Sequence, residues 1–149
     1  MKVSIRKGVF ETNSSSTHAI CISKGEYDIR RSHITFVTGC FGWEWETYKT
    51  ITERASYLIT ALECNHRDDL KMSMFKILED NEITYSVAVG TDYYIDHAND
   101  TIPFIESVCN NEDLLLKYLF GEESMVLTGN DNSWDMEINY PSEEDYYIY

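Results

Sequence analysis

The stretch Glu46-Thr47-Tyr48-Lys49-Thr50-Ile51-Thr52-Glu53-Arg54-Ala55-Ser56-Tyr57-Leu58-Ile59-Thr60-Ala61-Leu62-Glu63 decides how the rest of the chain is read. Tyr48, Ile51, Ala55, Leu58 and Leu62 fall on one stripe at the helical period, which predicts a helix from about Glu46 to Glu63. Upstream the period changes. Val3-Ser4-Ile5-Arg6 alternates like a strand, and His18-Ala19-Ile20-Cys21-Ile22 follows the polar Glu11–Thr17 loop as a second. Ile34-Thr35-Phe36-Val37 reads as a third, ended by Gly39.

Downstream, Asp68-Asp69 opens another helix, because carboxylates favour the positive N-terminal end of the helix dipole. Leu70, Met74, Ile77 and Leu78 face its core side. Thr84–Gly90 is strand-like, and a turn-rich segment follows over Asp92–Asp100. Thr101 caps a third helix with Pro103 in its first turn, where a missing N–H costs nothing. After a break at Asn110-Asn111, Leu114, Leu115, Tyr118 and Leu119 form a fourth helix, stopped at Gly121. Ser124–Thr128 is a further strand, with a turn at Gly129-Asn130-Asp131-Asn132. Strand runs separated by helices, without strict alternation, predict one α+β domain over residues 1–149 with a mainly antiparallel sheet and three to four helices.

Charge narrows the function. The 149 residues hold 26 Asp plus Glu against 12 Lys plus Arg, a net −14, with 43% apolar and 13% aromatic residues. That apolar content builds a normal core. A chain this acidic is repelled by a phosphate backbone, which excludes direct non-specific nucleic-acid binding, and it disfavours an anionic membrane surface for the same reason. No apolar run reaches a membrane span, and no apolar segment of the kind a signal peptide needs follows the basic Met1–Lys7, so a cytoplasmic protein is expected. After Lys117 there is no Lys or Arg, while Glu122, Glu123, Asp131, Asp135, Glu137, Glu143, Glu144 and Asp145 are all acidic. The segment from about 133 to 149 also carries Trp134, Tyr140, Tyr146 and Tyr147, too aromatic for a purely solvating tail. It reads as a surface meant to be covered, by the protein itself or by a partner.

Four cysteines, at 21, 40, 64 and 109, contain no CxxC pair and are expected as thiols or metal ligands. His18 and Cys21 are three apart, Cys64 and His66 two apart, and His97 follows Asp96. None of these spacings is a zinc-finger signature, and Cys109 on a helical face reads as a simple core residue. The serines of Glu11–His18 lack the surroundings of an activated nucleophile. Two indoles in Phe41-Gly42-Trp43-Glu44-Trp45 are explained by packing, with partner binding second.

Ile5-Arg6-Lys7-Gly8-Val9-Phe10-Glu11-Thr12-Asn13-Ser14-Ser15-Ser16-Thr17-His18 resembles the opening of a family of small phage and prophage proteins of Gram-positive bacteria. Phe41-Gly42-Trp43-Glu44, Ile95-Asp96-His97 and Thr128-Gly129-Asn130-Asp131-Asn132 extend the resemblance along nearly the whole chain. The group includes anti-CRISPR proteins that inhibit type II-A Cas nucleases. The resemblance implies a non-catalytic inhibitor of such an effector; composition supplies the binding module, with Glu143, Glu144 and Asp145 steering association and Trp134, Tyr140, Tyr146 and Tyr147 as partner-binding anchors. The resemblance also raises the expectation of one structural zinc, on His18, Cys21, Cys40 and His97, although Cys40 stands where the family pattern leads one to expect an acidic residue. Cys64 and His66 are the rival pair. The competing classes are a metal-dependent phage enzyme, with His18, His97 and Asp131 around an ion and Glu44 as base, and a phage structural or regulatory protein.

Overall fold

The computed structural model describes residues 16–29, 32–42, 44–130 and 142–149. The strand expected at Val3–Arg6 and the residues Trp134, Tyr140 and Asp131 lie outside them. Among the described residues, eight strands and four α-helices run in the order β1 (Ser16–Ser23), β2 (His33–Val37), β3 (Cys40–Phe41), β4 (Glu46–Tyr48), α1 (Ile51–Cys64), α2 (Asp68–Asp80), β5 (Thr84–Ala88), β6 (Tyr94–Ile95), α3 (Ile102–Cys109), α4 (Glu112–Phe120), β7 (Met125–Asn130) and β8 (Tyr146–Ile148). A short 3-10 turn, Ala98–Thr101, leads into α3. The architecture is the expected α+β domain. The main sheet, ordered β4-β7-β1-β8, is antiparallel throughout. Two small parallel ribbons, β2-β5 and β3-β6, stand beside it.

The deciding helix begins later than its stripe suggests. Thr50 accepts from the Glu53 N–H, and the Glu53 carboxylate in turn accepts from the N–H groups of Lys49 and Thr50. This reciprocal capping box starts the helix at Ile51. It frees Glu46–Tyr48 to pair with Val126–Thr128 of β7. Helix α1 is also buried almost all round, from Arg54 and Ala55 through Tyr57–Leu62. Helices with one apolar stripe lie on a surface; one covered on most sides is a central strut. Here β2 lies on one flank, with Ile34 and Phe36 buried, and α2, α3 and α4 pack around the rest.

The other helices follow their local signals. Asp68 and Asp69 occupy the first turn of α2, and Asn111 caps α4 by accepting from the Leu114 N–H at 3.0 Å. Thr101 precedes α3, but its hydroxyl donates back to the Ala98 carbonyl rather than capping the helix.

The acidic, aromatic C-terminus is part of the sheet. Tyr149 exchanges both backbone hydrogen bonds with Ile20, at 2.9 and 3.0 Å, and β8 pairs with Cys21–Ser23. Tyr146 and Ile148, opposite Ser23 and Cys21, lie on the face away from His18, while Tyr147 and Tyr149, opposite Ile22 and Ile20, lie on the face that α3 and α4 cover, the period-two alternation of a strand.

Candidate functional site

The carboxylates gather where β1 ends. Ser23 donates its N–H to the Ser124 hydroxyl at 2.9 Å and lies opposite Tyr146 in the ladder. Two acidic turns therefore flank one point. Glu122 and Glu123 precede Ser124, and Glu143, Glu144 and Asp145 precede Tyr146; all five side chains are exposed. The Tyr146 hydroxyl donates to Glu123 at 3.5 Å, and the Lys24 N–H donates to the Asp145 carbonyl at 2.9 Å. Burial first, and then the neighbouring Glu123 charge, push the Tyr146 phenol above its ordinary range. Besides Lys117, which is paired with Asp113 at 2.7 Å, Lys24 is a cation of this region. Its ammonium donates to the Glu143 carbonyl at 2.9 Å and sits 4.8 Å from the Tyr147 ring centre, pairing with no carboxylate among the described residues. The pole keeps its negative charge.

Beside it an open cavity of about 350 Å³ is lined by Ser107, Asn111, Asp113, Leu114, Tyr147 and Tyr149. Tyr147, 39% exposed, therefore stands between carboxylates and a pocket of a size that takes a partner side chain. Of the residues expected to bind a partner, Glu143, Glu144, Asp145 and Tyr147 meet here on the surface. Tyr146 is half-buried and acts as a support. Glu122 and Glu123 join the group although no local motif marked them; their one signal was an acidic doublet after Gly121.

The strings that carry the family resemblance also converge, through packing. Ser16 lies opposite Asn130 and His18 opposite Thr128. Thr128 donates its hydroxyl to the Glu44 carbonyl at 2.8 Å, and the Trp45 ring lies so close over Gly129 that a Cβ there would sit 2.5 Å from it. Phe41 pairs with Ile95, and the Asp96 N–H donates to the Phe41 carbonyl at 3.0 Å.

The expected zinc ligands are distributed differently. His18 is buried on the core side, its Nδ1 2.8 Å from the Tyr57 hydroxyl. Cys21, three positions along the same strand, must point to the opposite face, because strand side chains alternate. Its burial pushes the thiol up to about 12. Cys40 is exposed on β3, its thiol 3.6 Å from the Asp92 carbonyl. His97 is exposed, in a left-handed conformation at φ 56°, with Nε2 3.8 Å from Asp96. Cys64 ends α1 half-buried, and the exposed His66 also has a positive φ. Among the described residues no three His, Cys, Asp or Glu side chains come together as a metal group. One ion on His18, Cys21, Cys40 and His97 together would require β1 to turn a side chain through its own sheet.

No known protein family, no curated protein and no solved structure matches this chain. Among the described residues, no helix is long and apolar enough to cross a membrane.

Proposed function

We propose that this chain is a non-catalytic inhibitor that binds a basic, nucleic-acid-handling protein through its acidic pole. The target the resemblance points to is a type II-A Cas effector nuclease, met in the cytoplasm of the bacterial host. The observation that carries the reading is the pole itself: Glu122, Glu123, Glu143, Glu144 and Asp145 around one strand end, with Tyr147 and a cavity alongside. Such nucleases hold nucleic acid in positively charged channels. A compact anion presented there competes with DNA for the same counter-charge, and carboxylates at the rim steer association. Tyr147 is suited to be an anchor, since it is large, exposed and amphipathic. The fold holds the anion in place through the Lys24 N–H, which donates to the Asp145 carbonyl, and the Ser23 N–H, which donates to the Ser124 hydroxyl, so little ordering entropy remains to be lost on binding.

DNA cleavage by purified type II-A effectors, with this protein added before the DNA, tests the reading. Inhibition near equimolar ratio, weakening as salt rises, is the expected result. Unchanged cleavage by several orthologues at excess protein would sink the nuclease assignment.

A further inference from the structure

We propose that the outer edge of β5 is a docking strand, to which an extended, lysine- or arginine-bearing segment of a partner protein adds as a further β-strand. This edge belongs to a different sheet from the acidic pole, and the inference does not depend on the nuclease being the target.

Among the described residues, the ribbon β2-β5 leaves β5 with one neighbour only. The phase of its hydrogen bonds is set at both ends: Thr84 donates its N–H to the Ser32 carbonyl, and the Ala88 carbonyl accepts from the Thr38 N–H. In a parallel ladder alternate residues give both backbone groups to the same neighbour. Thr84, Ser86 and Ala88 therefore serve β2, and the N–H and C=O of Tyr85, Val87 and Val89 face outward. Among the described residues none of these outward groups has a partner.

Exposed edges are normally blunted by a charge, a proline or a bulge. Thr84-Tyr85-Ser86-Val87-Ala88-Val89-Gly90 carries no charge and no proline. Val87 and Val89 remain 41% and 48% exposed, and Val37, opposite Ala88 on β2, is 42% exposed. The edge thus offers main-chain hydrogen bonds together with apolar contact, the two components of strand addition.

Charge selects the occupant. Glu79, Asp80 and Glu82 precede the strand, Asp92 follows it, and no Lys or Arg occurs between Lys76 and Lys117. Lys76 is paired with Asp80. Glu79 is held against the strand by the Tyr85 hydroxyl, 2.6 Å away. A basic strand meets carboxylates at both ends of β5. A second copy of this chain would bring its own Glu82 and Asp92 against them, and like charges placed across an interface are disfavoured.

The test uses the whole protein and a short synthetic peptide of alternating lysine and valine, followed by backbone amide resonances. The expected result is saturable shifts centred on Tyr85, Val87 and Val89. The shifts should be lost when alternate amides of the peptide are N-methylated, and weakened at least tenfold when glutamate replaces lysine. Val87→Pro removes an N–H that the ladder does not use and should abolish the shifts while the far-ultraviolet spectrum stays unchanged. If that variant unfolds, the N-methylated peptide still decides the matter on wild-type protein. Absence of shifts with the lysine peptide overturns the proposal, and so does equal binding of the glutamate peptide. Concentration-dependent self-association that perturbs the same amides would also overturn it, giving the edge to a second copy.

Discussion

The guanidinium of Arg54 donates to the Ser124 carbonyl at 2.7 Å and so ties the central helix to the turn that carries Glu122 and Glu123. The same side chain, 1% exposed, donates to the carbonyls of Leu119, at 2.7 Å, and Lys49. Its bonds run to carbonyls, and burial lowers its pKa from the ordinary range. The cation therefore serves as a clamp on three chain segments, and Tyr118 returns a bond from its hydroxyl to the Arg54 carbonyl at 2.7 Å.

Arg54→Met should cost about 3 kcal/mol, because it leaves buried carbonyls without donors at roughly 1–3 kcal/mol each. Arg54→Lys should recover only part, since a single ammonium cannot span all three acceptors. Urea denaturation measures both. A loss below about 1 kcal/mol for the methionine variant would contradict the clamp.

Gly129→Ala should destabilise by about 1–3 kcal/mol, because the new methyl group meets the Trp45 ring at 2.5 Å and the ring must move. Pairing it with Trp45→Leu tests the cause. The double variant should lose less than the sum of the two single variants, as expected for residues in contact.

Cys21 and Cys109 give the fold a sensitivity to alkali. Burial holds both thiols up to about 12, against an ordinary value of 9.0. Above pH 9 the unfolded chain therefore releases protons that the folded chain keeps. Their contribution is intact below pH 9 and is lost as pH rises from there toward 12. Thermal midpoints should fall over that window, and less steeply in a Cys21→Ala, Cys109→Ala variant. Thiol reagents at neutral pH should label Cys40 first and reach these two only on unfolding.

Charge reversal at Glu143, Glu144 and Asp145 should slow association with the target roughly tenfold while changing dissociation little, since exposed rim charges act through steering. Reversal at Glu122 and Glu123 should do the same, because the tertiary structure joins the two turns. A defect confined to one turn, measured by surface binding kinetics across salt concentrations, would separate them.

Whatever zinc the purified, tag-free protein carries, Cys21→Ala should leave the content per chain unchanged, because Cys21 faces away from His18. His18→Ala should still destabilise the fold by about 2 kcal/mol, through the lost Tyr57 hydrogen bond and core volume. Elemental analysis and urea denaturation check the two halves. A drop in zinc in the Cys21 variant would mean that β1 is turned differently from the strand described.

The amino-acid sequence by itself determined the elements whose cause is local. The stripe through Ala55, Leu58 and Leu62 sets the phase of α1, Asp68-Asp69 opens α2, Asn111 opens α4, and the alternation at Ile34–Val37 gives β2. Each depends on backbone period and on groups within a few residues, which a linear chain displays. The −14 charge is equally legible, being a sum over composition. Only the tertiary structure decided the rest. It turned Glu46–Tyr48 into a strand, because β7 was there to pair with it. It set Cys21 on the face opposite His18, a consequence of strand alternation that holds once β1 is a strand but that matters only when both faces are covered. It brought the C-terminal acids beside Glu122 and Glu123, by pairing Ser23 with Tyr146 and bonding it to the Ser124 hydroxyl. Those contacts join residues about a hundred positions apart, and no periodicity within a short window encodes which distant backbone will supply the missing hydrogen bonds.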